Sequence, residues 1–219
     1  AVILVGGKGK RLKHETKITP KPLVQISNDK NILDFILNKL ISEGFTDLIF
    51  LAGFMGHEIK NYLNHYQPAR KNIRIRCIIE KKPLGTAGSL SQLKNKITND
   101  FIVINGDTYF DIDLSKVIKF PLKKKQIFMS LVNNTNYKSN SKLKSLSLKN
   151  KTVRYNMNSN LINAGIYKFK KSFLNIVKRK NISLETDVLP KYIKKRTVKG
   201  IFFKNFFLDI GTPKNYFSA

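Results

Sequence analysis

The sequence predicts an α/β fold: a Rossmann-like three-layer α/β/α sandwich built on a mostly parallel mixed sheet. Three observations carry the prediction. Short apolar runs alternate with amphipathic stretches through the first 110 residues. The connections between them are short. The apolar runs are nearly continuous in Val, Ile, Leu and Phe. Alternating strands and helices with short connections imply βαβ units, and strands with continuous apolar character are those covered on both faces.

Each element follows in turn. AVILV (1–5) reads as a buried strand. NILDFILNKLISEG (31–44) sets Ile32, Leu33, Ile36, Leu37, Leu40 and Ile41 on one helical stripe, with Gly44 as the stop. DLIFLAG (47–53) is a second strand, HEIKNYLNHY (57–66) a short helix and IRIRCIIE (73–80) a third strand. TAGSLSQLKNKI (86–97) is predicted helical and FIVIN (101–105) is a fourth strand. The second half is less regular. KVIKFPLKKK (116–125) reads as a helix broken near Pro121, and IFMSLV (127–132) as a strand. Residues 133–160, rich in Asn, Ser and Lys, read as a hairpin or loop excursion. LINAGIYKF (161–169) is a strand containing a glycine. SFLNIVKR (172–179) and SLETDVLPKYIKK (183–195) are predicted helical. TVKGIFF (197–203) and FFLDI (206–210) are strands, and TPKNYFSA (212–219) begins a last helix. Neither a linker nor a repeat interrupts the pattern, so residues 1–219 are expected to form a single domain.

The charge demands a decision. The chain has 41 Lys and Arg against 14 Asp and Glu, a formal net charge of +27. Such a balance suggests nucleic acid or an anionic surface. The excess is mostly Lys, however, and is spread along the whole chain. Base contacts favour Arg, and single-strand binding needs aromatics among the basic groups. Lys, Asn and Ile share A/T-rich codons, so a biased genome enriches all three together. Solvated lysines, with neither nucleic acid nor membrane as partner, are the expectation. Cys77 is the single cysteine, which leaves no internal disulfide and no thiol metal cluster. No apolar run approaches the ~20 residues of a membrane helix, and no signal-peptide core is visible. The expected location is the cytoplasm.

VGGKGKRLKHETKITPKP (5–22) follows the first strand directly. In open α/β sheets ligands collect beyond the carboxyl ends of strands, and glycines there let backbone N–H groups approach a phosphate. Two familiar patterns are absent. A dinucleotide fingerprint starting at Gly7 would place its third glycine at Leu12, and no Walker A motif occurs. A glycine loop alone is equally a turn. Arg11 adds a planar fork suited to phosphate, and Lys21 lies between Pro20 and Pro22, which stiffen its backbone. Asp107, after FIVIN, and Asp209, in FFLDIGTP, both follow apolar runs. Mg²⁺ is usually held by one or two carboxylates plus substrate phosphates. A turn residue and a helix cap are the alternative readings of these two aspartates. His14, His57 and His65 read as loop and surface residues, and no nucleophilic triad is evident.

GGKGKRLKHETKITPKPLVQI, EKKPLGTAGSL, NGD, LINAGIY and FFLDIGTPKNY occur in that order over essentially the whole chain. Together they resemble the sugar-1-phosphate nucleotidylyltransferase family. Within it, PLGTAG and LDIGTPKNY resemble D-glycero-α-D-manno-heptose 1-phosphate and mannose-1-phosphate guanylyltransferases. The resemblance implies a reaction of a nucleoside triphosphate with a sugar 1-phosphate, supported by Mg²⁺. It implies nucleotide binding by Leu4, Gly6, Gly7, Gly9, Glu80, Pro83, Leu84, Gly85 and Thr86, and phosphate contacts from Arg11 and Lys21. It implies sugar-phosphate binding by Asn105, Gly106, Asn163, Ala164 and Gly165, and metal binding by Asp107 and Asp209. Three features depart from the family pattern, one being His14 where many members have Pro or a similar residue. Lys10 stands where many members have Thr, and the Glu-Lys pair that many carry before the NAG strand is replaced by VRYNMNSN. Arg154 or a nearby lysine could supply the positive charge there, and nothing obvious in the sequence supplies the carboxylate. Another base or sugar, a non-catalytic relative and a homo-oligomer all remain open at this level.

Overall fold

A computed structural model describes residues 1–7, 19–27, 30–134, 145–178 and 180–210. The chain divides into two compact units. The first holds Ala1–Pro83, Ile104–Tyr109 and the segment from Leu208 onward; the second holds Leu84–Val103 and Phe110–Phe207.

In the first unit, strands β1 (Val2–Leu4), β2 (Gln25–Ser27) and β3 (Lys30–Asn31) precede helix α1 (Ile32–Ser42). Strand β4 (Asp47–Ala52), helix α2 (Gly56–His65) and strand β5 (Arg74–Ile79) follow. β4 pairs in parallel with β1 and with β5, as βαβ connections require. Leu48 to Ala52 are each at most 2% exposed, so β4 is covered on both faces, which explains its unbroken apolar sequence. α1 buries the predicted stripe of Ile32, Leu33, Ile36, Leu37, Leu40 and Ile41. Its start is set by a capping box: Asn31 Oδ1 accepts from Asp34 N at 3.1 Å, and Asp34 Oδ2 accepts from Asn31 N at 2.9 Å. Gly44, at φ +87°, ends it. The Tyr62 hydroxyl donates to Asp34 and ties α2 to the first turn of α1.

The second unit contains helix α3 (Gly85–Gly88) and the start of strand β6 (Phe101–Asn105), whose last two residues belong to the first unit. Strand β7 (Thr108–Phe110) has its first two residues in the first unit. In the second unit follow α4 (Leu114–Ile118), β8 (Ile127–Asn133), β9 (Leu146–Lys149), β10 (Thr152–Tyr155), β11 (Leu161–Phe169), α5 (Leu189–Lys194) and β12 (Val198–Phe202). The last strand, β13 (Phe207–Asp209), belongs to the first unit from Leu208 onward. Among the described residues nine strands form one mixed sheet in the order β5-β4-β1-β6-β11-β8-β12-β10-β9, the predicted α/β architecture. β12 is parallel to β8, whereas β11 is antiparallel to it. β9 and β10 form an antiparallel hairpin within the predicted excursion.

Several expected helices are shorter than their apolar pattern. The stretch 86–97 is one α-turn followed by a 3₁₀ segment, Ser89–Leu93. SFLNIVKR yields a 3₁₀ turn over Lys171–Asn175. SLETDVLPKYIKK begins with a π-type turn over Leu184–Val188 before α5. Short helical pieces have many unpaired backbone groups at their ends; Ala87 N, Gly88 N and Leu184 N find tertiary partners described below. The expected final helix at 212–219 lies outside the described residues.

Candidate active site

The first constellation lies in the first unit. Pro20 and Pro22 flank a 3₁₀ turn, Lys21–Leu23, closed by Leu23 N donating to the Pro20 carbonyl at 2.8 Å. The turn directs Lys21 inward, and the residue is only 7% exposed. A buried ammonium is costly unless paired, and its partner is Asp107, with Nζ to Oδ2 at 2.5 Å. The position of Asp107 is fixed by Gly106. A methyl group on Gly106 would lie 2.5 Å from Val5 Cγ1 and 2.8 Å from the Leu4 carbonyl oxygen, so only glycine lets β6 end against β1. Its N–H donates to that same Leu4 carbonyl at 2.9 Å.

The Asp107 carboxylate also accepts from the Thr108 hydroxyl at 3.2 Å. Burial alone would raise its pKa. The Lys21 charge and hydrogen bond, with that of Thr108, outweigh burial and hold it below the usual Asp value. β13 pairs with β7, and Ile210 N donates to the Asp107 carbonyl at 3.2 Å, which brings Asp209 beside this strand end. Asn105 Oδ1 is buried and has no hydrogen-bond partner. The backbone at Gly6 is pressed against Gly53, where a methyl on Gly53 would meet the Gly6 carbonyl oxygen at 2.9 Å and Glu80 Oε2 at 3.4 Å. A side chain on Gly7 would meet nothing within 4 Å. A methyl on Gly6 would lie 3.1 Å from Gly53 N, a tight contact, so packing favours glycine there, which the sequence could not distinguish from phosphate access. Gly9 and Arg11 lie outside the described residues.

The second constellation lies in the second unit and contains Leu84, Gly85 and Thr86, with Asn163, Ala164 and Gly165. Gly85 has φ +68°, and a methyl on Gly88 would sit 2.0 Å from the Lys180 carbonyl oxygen. These glycines let the loop close onto the 180–184 backbone. Ala87 N and Gly88 N donate to the Ile182 carbonyl at 2.9 and 3.2 Å, and Ile182 N donates to the Leu84 carbonyl at 2.9 Å. Thr86 Oγ1 accepts from Leu184 N at 2.7 Å and donates to Glu185 Oε2 at 2.8 Å. Glu185 also accepts from Ser183 Oγ at 3.1 Å and from the Tyr167 hydroxyl at 3.4 Å. Tyr167 in turn accepts from Asn163 Nδ2 at 2.6 Å. Asn163 Oδ1 accepts from Gly165 N at 3.1 Å, where the register of β11 on β8 slips and Gly165 takes φ +74°.

Glu185 was not singled out from the sequence. An acidic residue in the first turn of an expected helix is ordinary, and nothing in the spacing ties position 185 to position 86 or 163. Arg154, on β10, has a buried Nε with no hydrogen-bond partner; it belongs to the VRYNMNSN stretch that departs from the family pattern.

A family profile described as "Nucleotidyl transferase" matches residues 1–219. The chain belongs to the nucleotidyl transferase family. It is 33% identical, over 99% of its length and 96% of the relative's, to D-glycero-α-D-manno-heptose 1-phosphate guanylyltransferase of Campylobacter jejuni. Among solved structures it resembles HddC from Yersinia pseudotuberculosis in complex with GMP-PN. The TM-score is 0.80 and the identity 31%, covering 100% of this chain and 96% of that one. It is also 32% identical to the bifunctional protein GlmU of Methanococcus maripaludis, over 100% of this chain and 53% of GlmU, so it spans about half of that relative. The chain is thus a nucleotidyltransferase similar to sugar-1-phosphate guanylyltransferases.

Proposed function

We propose that residues 1–219 act as one nucleotidyltransferase domain that makes an NDP-sugar and pyrophosphate from a nucleoside triphosphate and a sugar 1-phosphate. GTP and a heptose or mannose 1-phosphate are the substrates we favour, and the product would serve cell-surface polysaccharide synthesis in the cytoplasm. The observation that carries the proposal is the ion pair of the buried Lys21 with Asp107 at the carboxyl end of β6, where ligands collect in such sheets. The heptose guanylyltransferase relative and the GMP-PN complex of HddC support the choice of base and sugar.

The chemistry follows from charge. An oxygen of the sugar phosphate attacks the α-phosphorus of the nucleotide; a new P–O bond forms, and the bond to the β-phosphate oxygen breaks with that oxygen taking the electron pair. With a second pKa near ~6, the attacking phosphate is already an anion at neutral pH. No general base is needed, which suits a site without a candidate triad. The obstacle is repulsion between polyanions, so catalysis rests on positioning and neutralisation. Lys21 and Arg11 are proposed to take charge developing on the departing pyrophosphate. Leu4, Gly6, Gly7, Gly9, Glu80, Pro83, Leu84, Gly85 and Thr86 are proposed to hold the nucleotide. Asn105, Gly106, Asn163, Ala164 and Gly165 are proposed to hold the sugar phosphate.

Asp107 and Asp209 are the residues proposed to hold Mg²⁺. The fit is one of donor chemistry: two carboxylates and the unpartnered buried oxygen of Asn105 are hard oxygen donors. Among the described residues no group of three or more His, Cys, Asp or Glu forms a metal cage, in keeping with an ion held partly by substrate. When bound, the ion would supply neutralisation of phosphate charge.

The test is pyrophosphate release measured over four nucleoside triphosphates crossed with a panel of sugar 1-phosphates. GTP with the heptose or mannose substrate should give the highest kcat/KM. Absence of Mg²⁺-dependent release from every pair overturns the proposal.

A further inference from the structure

Glu185 stands at the centre of a hydrogen-bond relay, and its chemistry sets the direction of every bond in it. An ionised carboxylate only accepts. Thr86 must therefore donate its hydroxyl proton to Oε2 (2.8 Å), leaving its oxygen to accept from Leu184 N (2.7 Å). Tyr167 must likewise donate its proton to Oε1 (3.4 Å), leaving its oxygen to accept from Asn163 Nδ2 (2.6 Å). That choice and the Gly165 N–H together fix which way the Asn163 amide faces. Nδ2 points to Tyr167, and Oδ1 receives Gly165 N at 3.1 Å. Tyr167 is fully buried and Asn163 is 7% exposed, so water is poorly placed to rescue a reversed amide. One N–H of Asn163 and one lone pair of its oxygen remain for a ligand.

We propose that Glu185 is a positioning residue. Through Tyr167 it holds Asn163 with its amide turned to read hydroxyl groups of the sugar, and through Thr86 it locks the nucleotide loop to the same carboxylate. This inference rests on the proposed function, because the sugar is what Asn163 would read.

Glu185→Gln separates orientation from packing, since it keeps shape and loses only the acceptor-only character. The Gln carbonyl oxygen keeps the side where both Thr86 and Ser183 donate, so its amide nitrogen faces the Tyr167 hydroxyl and breaks the Asn163 arm. Tyr167→Phe breaks the Asn163 arm alone and leaves Thr86 anchored. Steady-state rates are measured with GTP and D-glycero-α-D-manno-heptose 1-phosphate, alongside thermal unfolding and the affinity for GMP-PNP. Each variant should raise KM for the sugar phosphate about tenfold, the scale of a lost oriented hydrogen bond. Tyr167→Phe should leave GMP-PNP affinity near wild type. The double variant should be no worse than the weaker single variant, as members of one chain of bonds behave. If Glu185→Gln fails to fold, Tyr167→Phe decides alone. An unchanged sugar KM in a folded variant overturns the role of Glu185 while leaving the function standing. Absence of wild-type turnover with this pair removes the substrate reading and this proposal with it.

Discussion

Lys21 and Asp107 illustrate what single residues contribute. They are 86 positions apart, yet each makes the other tenable: the lysine is 8% exposed at its side chain and the aspartate 37%. The asymmetry makes a prediction. Removing Asp107 strands a buried ammonium, whereas removing Lys21 leaves a carboxylate that water can still reach. Asp107→Ala should therefore lose about 3 kcal/mol of stability, the lower end for a broken buried pair, and Lys21→Met distinctly less. Urea denaturation of the two variants reads the difference, and equal losses would contradict it. Both should lower kcat by ~10²-fold or more in the pyrophosphate assay, as loss of an electrostatic group commonly does.

At the scale of elements, the loop 84–88 shows local preference yielding to tertiary contact. Alanine is the better helix former by about 1 kcal/mol, so propensity alone would favour Gly88→Ala in α3. The 2.0 Å approach to the Lys180 carbonyl reverses the sign. The variant should lose about 2 kcal/mol and weaken GMP-PNP binding, because the loop must leave the 180–184 backbone to admit the methyl. A variant as stable as wild type would show that the loop closes in another way. The same contact satisfies the first turn of α3: Ala87 N and Gly88 N, which have no partner within the helix, donate to the Ile182 carbonyl.

For the whole molecule the question is charge. A net +27 guarantees some attraction to polyanions, but binding through scattered lysines rests on counterion release and weakens steeply with salt. The protein should be retained on DNA or RNA columns at low ionic strength and released by ~0.2 M salt, with no preference among sequences. Specific retention above that concentration would restore nucleic acid as a partner.

What the sequence determined by itself was the order of strands and helices, the buried stripe of α1, and the pairing of two aspartates with strand ends. These follow from side-chain periodicity and from residues whose backbone chemistry is local, such as Gly44 at the end of α1 and the prolines beside Lys21. Only the tertiary structure decided that Lys21 is buried, why Gly88 and Gly106 must be glycine, and that Glu185 meets Thr86 and Tyr167. The physical reason is that burial of a charge, a carbonyl 2.0 Å from a missing methyl, and the direction of a hydrogen bond are properties of neighbours distant in sequence. A period of two or 3.6 residues records which face of an element is apolar; it carries no information about the atoms that face meets.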